Sequence, residues 1–119
     1  IHIIRPMSQT ELADWMNASD CLVLSSAFEG MPRVVVESLQ CGLPVVSTDA
    51  GETKRMIANE KAGRLVLERN PDVFSRAVFD LLHQKSDRAA CQKQVEPFTA
   101  SKLLERVYSS YRELSKGIS

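Results

Sequence analysis

Residues 21–48 read CLVLSSAFEGMPRVVVESLQCGLPVVST, and two apolar runs inside this stretch decide the fold. Cys21-Leu22-Val23-Leu24 and Val45-Val46-Ser47-Thr48 are too short for helices, and neither alternates apolar with polar residues. Continuous runs of this kind read as strands buried on both faces of a parallel sheet. Between them, Pro32 suits the first position of a helix that runs to about Cys41, with Gly42 in the terminating place and Pro44 beyond. A strand, a crossing helix and a second strand make the repeating unit of an α/β fold.

The alternation continues outward in both directions. Upstream, Ile1-His2-Ile3-Ile4 reads as a further strand. A core strand at the first residue leads us to expect that the chain begins inside a larger protein. Ser8 and Glu11 have capping-box spacing, with Met7 and Leu12 placed as a hydrophobic staple. The helix they open carries Leu12, Trp15 and Met16 on one face and ends near Ala18. Downstream, a short helix is expected over 53–58 and a strand over 64–67. Asn70-Pro71 then caps a helix with Phe74, Ala77, Val78, Leu81 and Leu82 along one stripe. A weaker helical stretch covers 87–95, broken by Pro97. Thr99 caps a terminal helix over 99–119 that bears Leu103, Leu104, Val107, Tyr108, Tyr111 and Leu114, a stripe for the core or for contact with another domain. The whole of 1–119 is therefore expected to be one domain, a Rossmann-like parallel sheet flanked by helices on both faces.

Composition narrows the function classes. With 15 basic and 15 acidic side chains the net charge is zero, and no basic stripe points to nucleic acid. A 44% hydrophobic share with only 6% aromatic residues suits an aliphatic α/β core. No apolar run approaches the ~18 residues that would span a bilayer, and no leader pattern opens the chain. Cys21, Cys41 and Cys91 are widely spaced and form no CxxC pair, so they read as buried, reduced thiols of a cytosolic protein. Lys54, Arg55 and Lys61 read as a solvated basic face, and Asp49 as a turn former.

The chemistry gathers around the helix that follows Pro32. Glu29 lies in the loop after a buried strand, and Glu37 lies about one turn into the helix. Ligands of open α/β sheets bind beyond the carboxyl ends of the strands, where this loop is. The backbone amides of Arg33, Val34 and Val35 belong to the donors a helix start leaves unpaired, and with the helix dipole they favour an anion such as a phosphate. Glu37 is itself negative and so suits a vicinal diol such as ribose better than a phosphate. Acidic groups near a helix start also have a purely structural use, worth roughly 0.3–1 kcal/mol each. Spacing alone does not decide between these readings.

The segment 26–51 closely resembles the signature of the family-4 retaining glycosyltransferases. It has the Glu29-Gly30-Met31-Pro32 turn and a second Glu, Glu37, after seven intervening residues. Cys41-Gly42-Leu43-Pro44-Val45-Val46 and Thr48-Asp49-Ala50-Gly51 follow at the family's spacing. Leu12, Trp15 and Ala18-Ser19-Asp20 before it, and Ala62-Gly63-Arg64-Leu65-Val66 after it, extend the similarity over most of 1–85. The resemblance implies the carboxyl-terminal, donor-binding half of a GT-B enzyme, truncated at its amino terminus. Glu29 would hold hydroxyls of the transferred sugar beside the reacting carbon. The amides around Gly30, Met31 and Arg33 would line the sugar, with Pro32 contributing its ring and carbonyl. The Val34 and Val35 amides would meet the distal phosphate, and Glu37 the ribose hydroxyls. The nucleotide-sugar is then a substrate, and no metal or other cofactor is expected.

The family commonly has a second Gly and a further acid after Thr-Asp-x-Gly; here Glu52 follows Gly51 and Arg55 stands in the acidic place. The Arg and Lys with which the family neutralises the diphosphate are expected upstream of Ile1, as is the acceptor-binding amino-terminal domain. The isolated chain is accordingly expected to be inactive. A cytoplasmic enzyme is expected, with peripheral association of the full protein at the inner face of a membrane. Two rivals stand beside this reading. One is a natural donor-binding subunit of a two-chain transferase. The other is a phospho-receiver domain, disfavoured because Arg5-Pro6-Met7 stands where an acidic pair should follow the first strand.

Overall fold

A computed structural model describes residues 1–85 and 87–117. Its sheet contains β1 (Leu22–Leu24), β2 (Val45–Thr48) and β3 (Gly63–Val66), in that spatial order and all parallel. Leu22 pairs with Val45 and Leu24 with Ser47; Val45 pairs in turn with Gly63 and Thr48 with Val66. The strands are joined through α2 (Arg33–Gln40) and α3 (Thr53–Met56), while α1 (Gln9–Ala18) precedes β1. After β3 come α4 (Pro71–Leu82), α5 (Arg88–Val95), a 3₁₀ turn (Glu96–Phe98) and α6 (Ala100–Lys116).

Strand side chains alternate between faces, and β2 supplies both. Val45 packs with Val35, Leu39, Met56, Cys91, Val95 and other apolar residues of α2, α3, α5 and the 3₁₀ turn. Val46 belongs with Val66 and Leu81, against which Phe74, Ala77 and Val78 of α4 pack. Helices thus cover both faces of a fully buried central strand. Arg88 fastens the first layer by donating to the Asn17 side chain (2.7 Å) and to the Cys41 carbonyl at the end of α2 (2.6 Å).

The capping signals of α1 and α4 are realised. Ser8 and Glu11 form the reciprocal capping box of α1, and the Asn70 side chain accepts the Asp72 amide at the start of α4. Gly42, with φ +74°, follows the last turn of α2 in the left-handed region. Met16 faces the core as expected, whereas Trp15 is half exposed.

Several expectations are corrected. Residues 1–4 form no strand, and Ile1, Ile3 and Ile4 are exposed; among the described residues no strand edge pairs with them. β1 is only partly buried, and on one face, that of Leu22 and Leu24. It lies at the edge of the sheet, and α4 packs over Val46 and Val66, leaving Val23 47% exposed. α2 begins at Arg33, one residue later than expected, with Pro32 in the cap position just outside the helix. α3 stops at Met56, where Ile57 (φ −116°, ψ 43°) leaves the helical region, and a turn follows in which the Asn59 side chain and carbonyl accept the amides of Lys61, Ala62 and Gly63. β3 is shifted one residue towards the amino terminus, and Leu67 is exposed. Thr99 occupies the cap of α6, but its hydroxyl donates back to the Glu96 carbonyl (2.8 Å) instead of accepting a helix amide. α6 buries none of its residues: Leu104, Val107, Tyr108, Tyr111 and Leu114 are all at least half exposed or nearly so. The expected last residues of that helix, 118–119, lie outside the described ones.

All three cysteines are free thiols, yet only Cys91 is buried; Cys21 and Cys41 are half-buried. Desolvation, followed by the charge of nearby Asp87, pushes the Cys91 thiol up to about 11 from a usual 9.0. Its contribution to stability is therefore complete below pH 9 and is lost as the pH rises towards about 11. We expect iodoacetamide at pH 8 to spare Cys91 in the folded protein and to label it on unfolding in urea, as read by peptide mass mapping. Labelling at equal rates in both states would show that the α2–α5 layer is open.

Candidate functional site

Loop 25–32 leaves the carboxyl end of β1 and delivers the chain to α2. Its position is held by ties that come from the other two strands' ends. Thr48, the last residue of β2, donates its hydroxyl to the Ser26 carbonyl (2.6 Å). The Thr48 carbonyl in turn accepts from the Thr53 hydroxyl (3.1 Å), which also receives the Ala50 amide (3.0 Å). Arg69, after β3, donates to the Ala27 carbonyl (2.6 Å). The Glu52 amide donates to the Gly30 carbonyl (3.0 Å).

Gly51 makes the closest approach. Its φ is +60°, and a Cβ there would lie 2.1 Å from the Gly30 carbonyl oxygen and 2.3 Å from that of Glu29. Real Cβ atoms do not approach backbone oxygens so closely, so the turn at Gly51 and the Glu29-Gly30 peptide fit together only without a side chain. Gly30, in contrast, has open space where a Cβ would stand.

Within this frame Glu29 is half-buried, and its Oε1 accepts a hydrogen bond from the Ser26 hydroxyl at 2.7 Å. Phe28 and Met31 beside it are exposed, and Pro32 is buried. α2 is anchored by Val35 and Leu39, both fully buried, which fixes the direction of its amino-terminal end. Arg33 and Val34 occupy its first two positions, whose amides have no acceptor within a helix. The Val35 amide departs from the expectation: it donates to the Pro32 carbonyl (3.1 Å), so the helix opens with a tight turn and one fewer unpaired donor.

Glu37 sits one turn further, on a groove of about 330 Å³ between α1 and α2 lined also by Leu12, Met16, Arg33 and Gln40. Its carboxylate is 3.7 Å from the exposed Arg33 guanidinium. Glu29 and Glu37 thus have separate partners, one a hydroxyl in the loop and the other a cation on the helix. A larger, mostly apolar cleft of about 580 Å³ lies between the bare face of Val23 and α4 and reaches the loop at Ser25 and Arg69.

Two of the three basic residues are locally engaged. Arg55 pairs with Glu52 (2.7 Å) and lies over the Phe98 ring, and Lys61 pairs with Asp87 (3.5 Å). The departure from the family pattern at 52–55 is therefore an ion pair within one turn. Among the described residues no three His, Cys, Asp or Glu side chains gather as a metal site requires. No described helix is long and apolar enough to cross a membrane. Sequence reasoning placed Ser26 and Thr48 within the family signature but gave them no role, and it did not single out Thr53 or Arg69.

The parallel sheet with helices on both faces, and a loop and helix start at the carboxyl ends of its strands, define a Rossmann-like α/β domain. The family described as glycosyl transferases group 1 matches residues 1–97, and the chain belongs to that family. A D-inositol 3-phosphate glycosyltransferase 2 from Catenulispora acidiphila is 35% identical over 82 residues, covering 69% of this chain and 19% of its own. A D-inositol 3-phosphate glycosyltransferase from Streptosporangium roseum is 33% identical over 76% of this chain and 21% of its own. Another, from Paenarthrobacter aurescens, is 30% identical over 95% of this chain and 29% of its own. The chain thus spans less than a third of the length of these relatives.

Proposed function

We propose that residues 1–119 form the donor-binding domain of a retaining glycosyltransferase, which moves a sugar from a nucleotide-diphosphate sugar to an acceptor hydroxyl. The observation that carries this reading is the placement of Glu29: a half-buried carboxylate on a tied loop, one hydroxyl-bonded oxygen, directly before a helix start. In this reading Glu29 accepts hydrogen bonds from sugar hydroxyls, and the backbone of Gly30, Met31, Pro32 and Arg33 lines the sugar. The α2 start faces the distal phosphate through the Val34 amide, the Val35 amide being drawn back to the Pro32 carbonyl, and Glu37 takes the ribose hydroxyls. Stabilising charge on the departing diphosphate and holding the reacting centre are the main tasks of such a site, with no side-chain nucleophile.

The reading assigns no metal or cofactor. It places the cationic phosphate clamp and the acceptor site in a partner domain outside 1–119, and the enzyme in the cytoplasm, in polysaccharide, glycolipid or glycoconjugate synthesis, with peripheral contact at a membrane. D-Inositol 3-phosphate is the first acceptor to try, since the relatives are named for it. The test is transfer by the complete protein from UDP-, GDP- and ADP-hexoses, with the anomeric configuration of the product read by proton NMR. Retention is expected with one donor, and no transfer by the 119-residue chain alone. An inverted product, or turnover by the isolated chain, would sink the reading.

A further inference from the structure

We infer that Ser26 is a positioning residue for the donor sugar: its hydroxyl sets the orientation of the Glu29 carboxylate. The inference rests on the proposed donor-binding reading and goes beyond it by naming what aims the acid. A carboxylate on a loop side chain turns freely unless something holds it, and a freely turning group loses entropy when it engages a ligand. Here Ser26 Oγ donates to Glu29 Oε1 at 2.7 Å, a short hydrogen bond to a charged acceptor. That bond fixes the plane of the carboxylate and uses one acceptor site of Oε1, and Oε2 is the oxygen turned to a sugar hydroxyl in this reading.

Ser26 can aim Glu29 only because it is itself fixed. The Thr48 hydroxyl holds its carbonyl at 2.6 Å from across the sheet, and Arg69 holds the next carbonyl, that of Ala27, at 2.6 Å. Gly51 packs against the Glu29-Gly30 peptide, and the Glu52 amide donates to the Gly30 carbonyl. Donor and acceptor of the Ser26–Glu29 bond are therefore both anchored through their backbones to the ends of β2 and β3. The hydroxyl adds the last constraint, on the side chain.

The experiment uses the complete protein with Ser26→Ala, Ser26→Thr, Glu29→Ala and the double variant Ser26→Ala/Glu29→Ala. Steady-state release of nucleoside diphosphate gives kcat and KM for the hexose conjugate the unsubstituted protein accepts, and calorimetry gives the affinity for UDP, GDP or ADP. Ser26→Ala is expected to lower kcat about tenfold, the scale of a hydrogen bond to a charged group, and to leave nucleoside-diphosphate affinity unchanged. Ser26→Thr, which keeps a hydroxyl, restores most of the rate. In the Glu29→Ala background no carboxylate remains to be aimed, so Ser26→Ala adds no further loss. Additive losses, an unchanged kcat in Ser26→Ala, or a parallel fall in nucleoside-diphosphate affinity would each overturn the positioning role. If Glu29→Ala itself leaves kcat intact, the donor-binding reading fails with it, and that outcome is distinct from the others.

Discussion

Glu37→Gln in the complete protein is expected to weaken binding of the nucleoside diphosphate about ten- to a hundredfold. The scale follows from the roughly 1.5–3 kcal/mol of a hydrogen bond to a charged group. The substitution keeps the size of the side chain and removes only its charge. Its ion-pair partner Arg33 is exposed and 3.7 Å away, a pair of the kind worth about 0–1 kcal/mol, so the melting temperature should barely move. Glu29→Gln is expected to behave differently. The Ser26 hydroxyl can donate to an amide oxygen as it does to Glu29 Oε1, so the loop stays in place. The affinity for the bare nucleoside diphosphate should be unchanged, while turnover with the full donor falls by a similar ten- to a hundredfold. Calorimetric titration of both variants with nucleotide and with nucleotide-sugar separates the two roles. Equal losses for both ligands in both variants would contradict them and return the glutamates to simple helix-start stabilisers.

The second large effect belongs to Gly51. An alanine there must adopt a φ of +60°, which costs about 1–2 kcal/mol. Its Cβ would also sit 2.1 Å from the Gly30 oxygen, so the Glu29-Gly30 peptide must move and the Glu52-to-Gly30 hydrogen bond goes with it. We expect Gly51→Ala to destabilise the protein by at least about 2 kcal/mol in urea unfolding and to abolish measurable turnover, because the displaced peptide carries Glu29. Gly30→Ala is the control. Nothing lies within 4 Å of a Cβ at that position, so its stability should stay close to the parent's. Were the two alanine variants equally stable, the turn at Gly51 would not be what holds the loop.

The contrast between these glycines marks how far local sequence reaches. Gly30, inside the Glu-Gly-x-Pro turn, is the more conspicuous in the sequence, yet the steric demand falls on Gly51, twenty-one residues later. The runs at 21–24 and 45–48 are legible as adjacent or near-adjacent parallel strands, though not that the first lies at the sheet edge, and the capping box at Ser8 and the Asn70-Pro71 start are legible as helix ends. Each of those signals is carried by residues within a few positions of one another. The burial of β1 was misjudged because an apolar run states only what a strand tolerates, while the helix that covers it decides which face meets water.

By itself, then, the sequence determined the alternation of strands and helices, their parallel arrangement and the family motif that holds Glu29 and Glu37. These are short-range properties: periodicity, caps and turn residues act through neighbours in the chain. The tertiary structure alone decided what holds Glu29 in place. Thr48 reaches Ser26 across 22 residues, and Arg69 reaches Ala27 across 42, so neither bond exists until the sheet has brought the strand ends together. It also decided that Val35 donates its amide to Pro32, that Val23 lies bare beside α4, and that α6 packs none of its apolar stripe into the core. In each case the outcome depends on which partner occupies the neighbouring space, and that is set by the packing of distant elements.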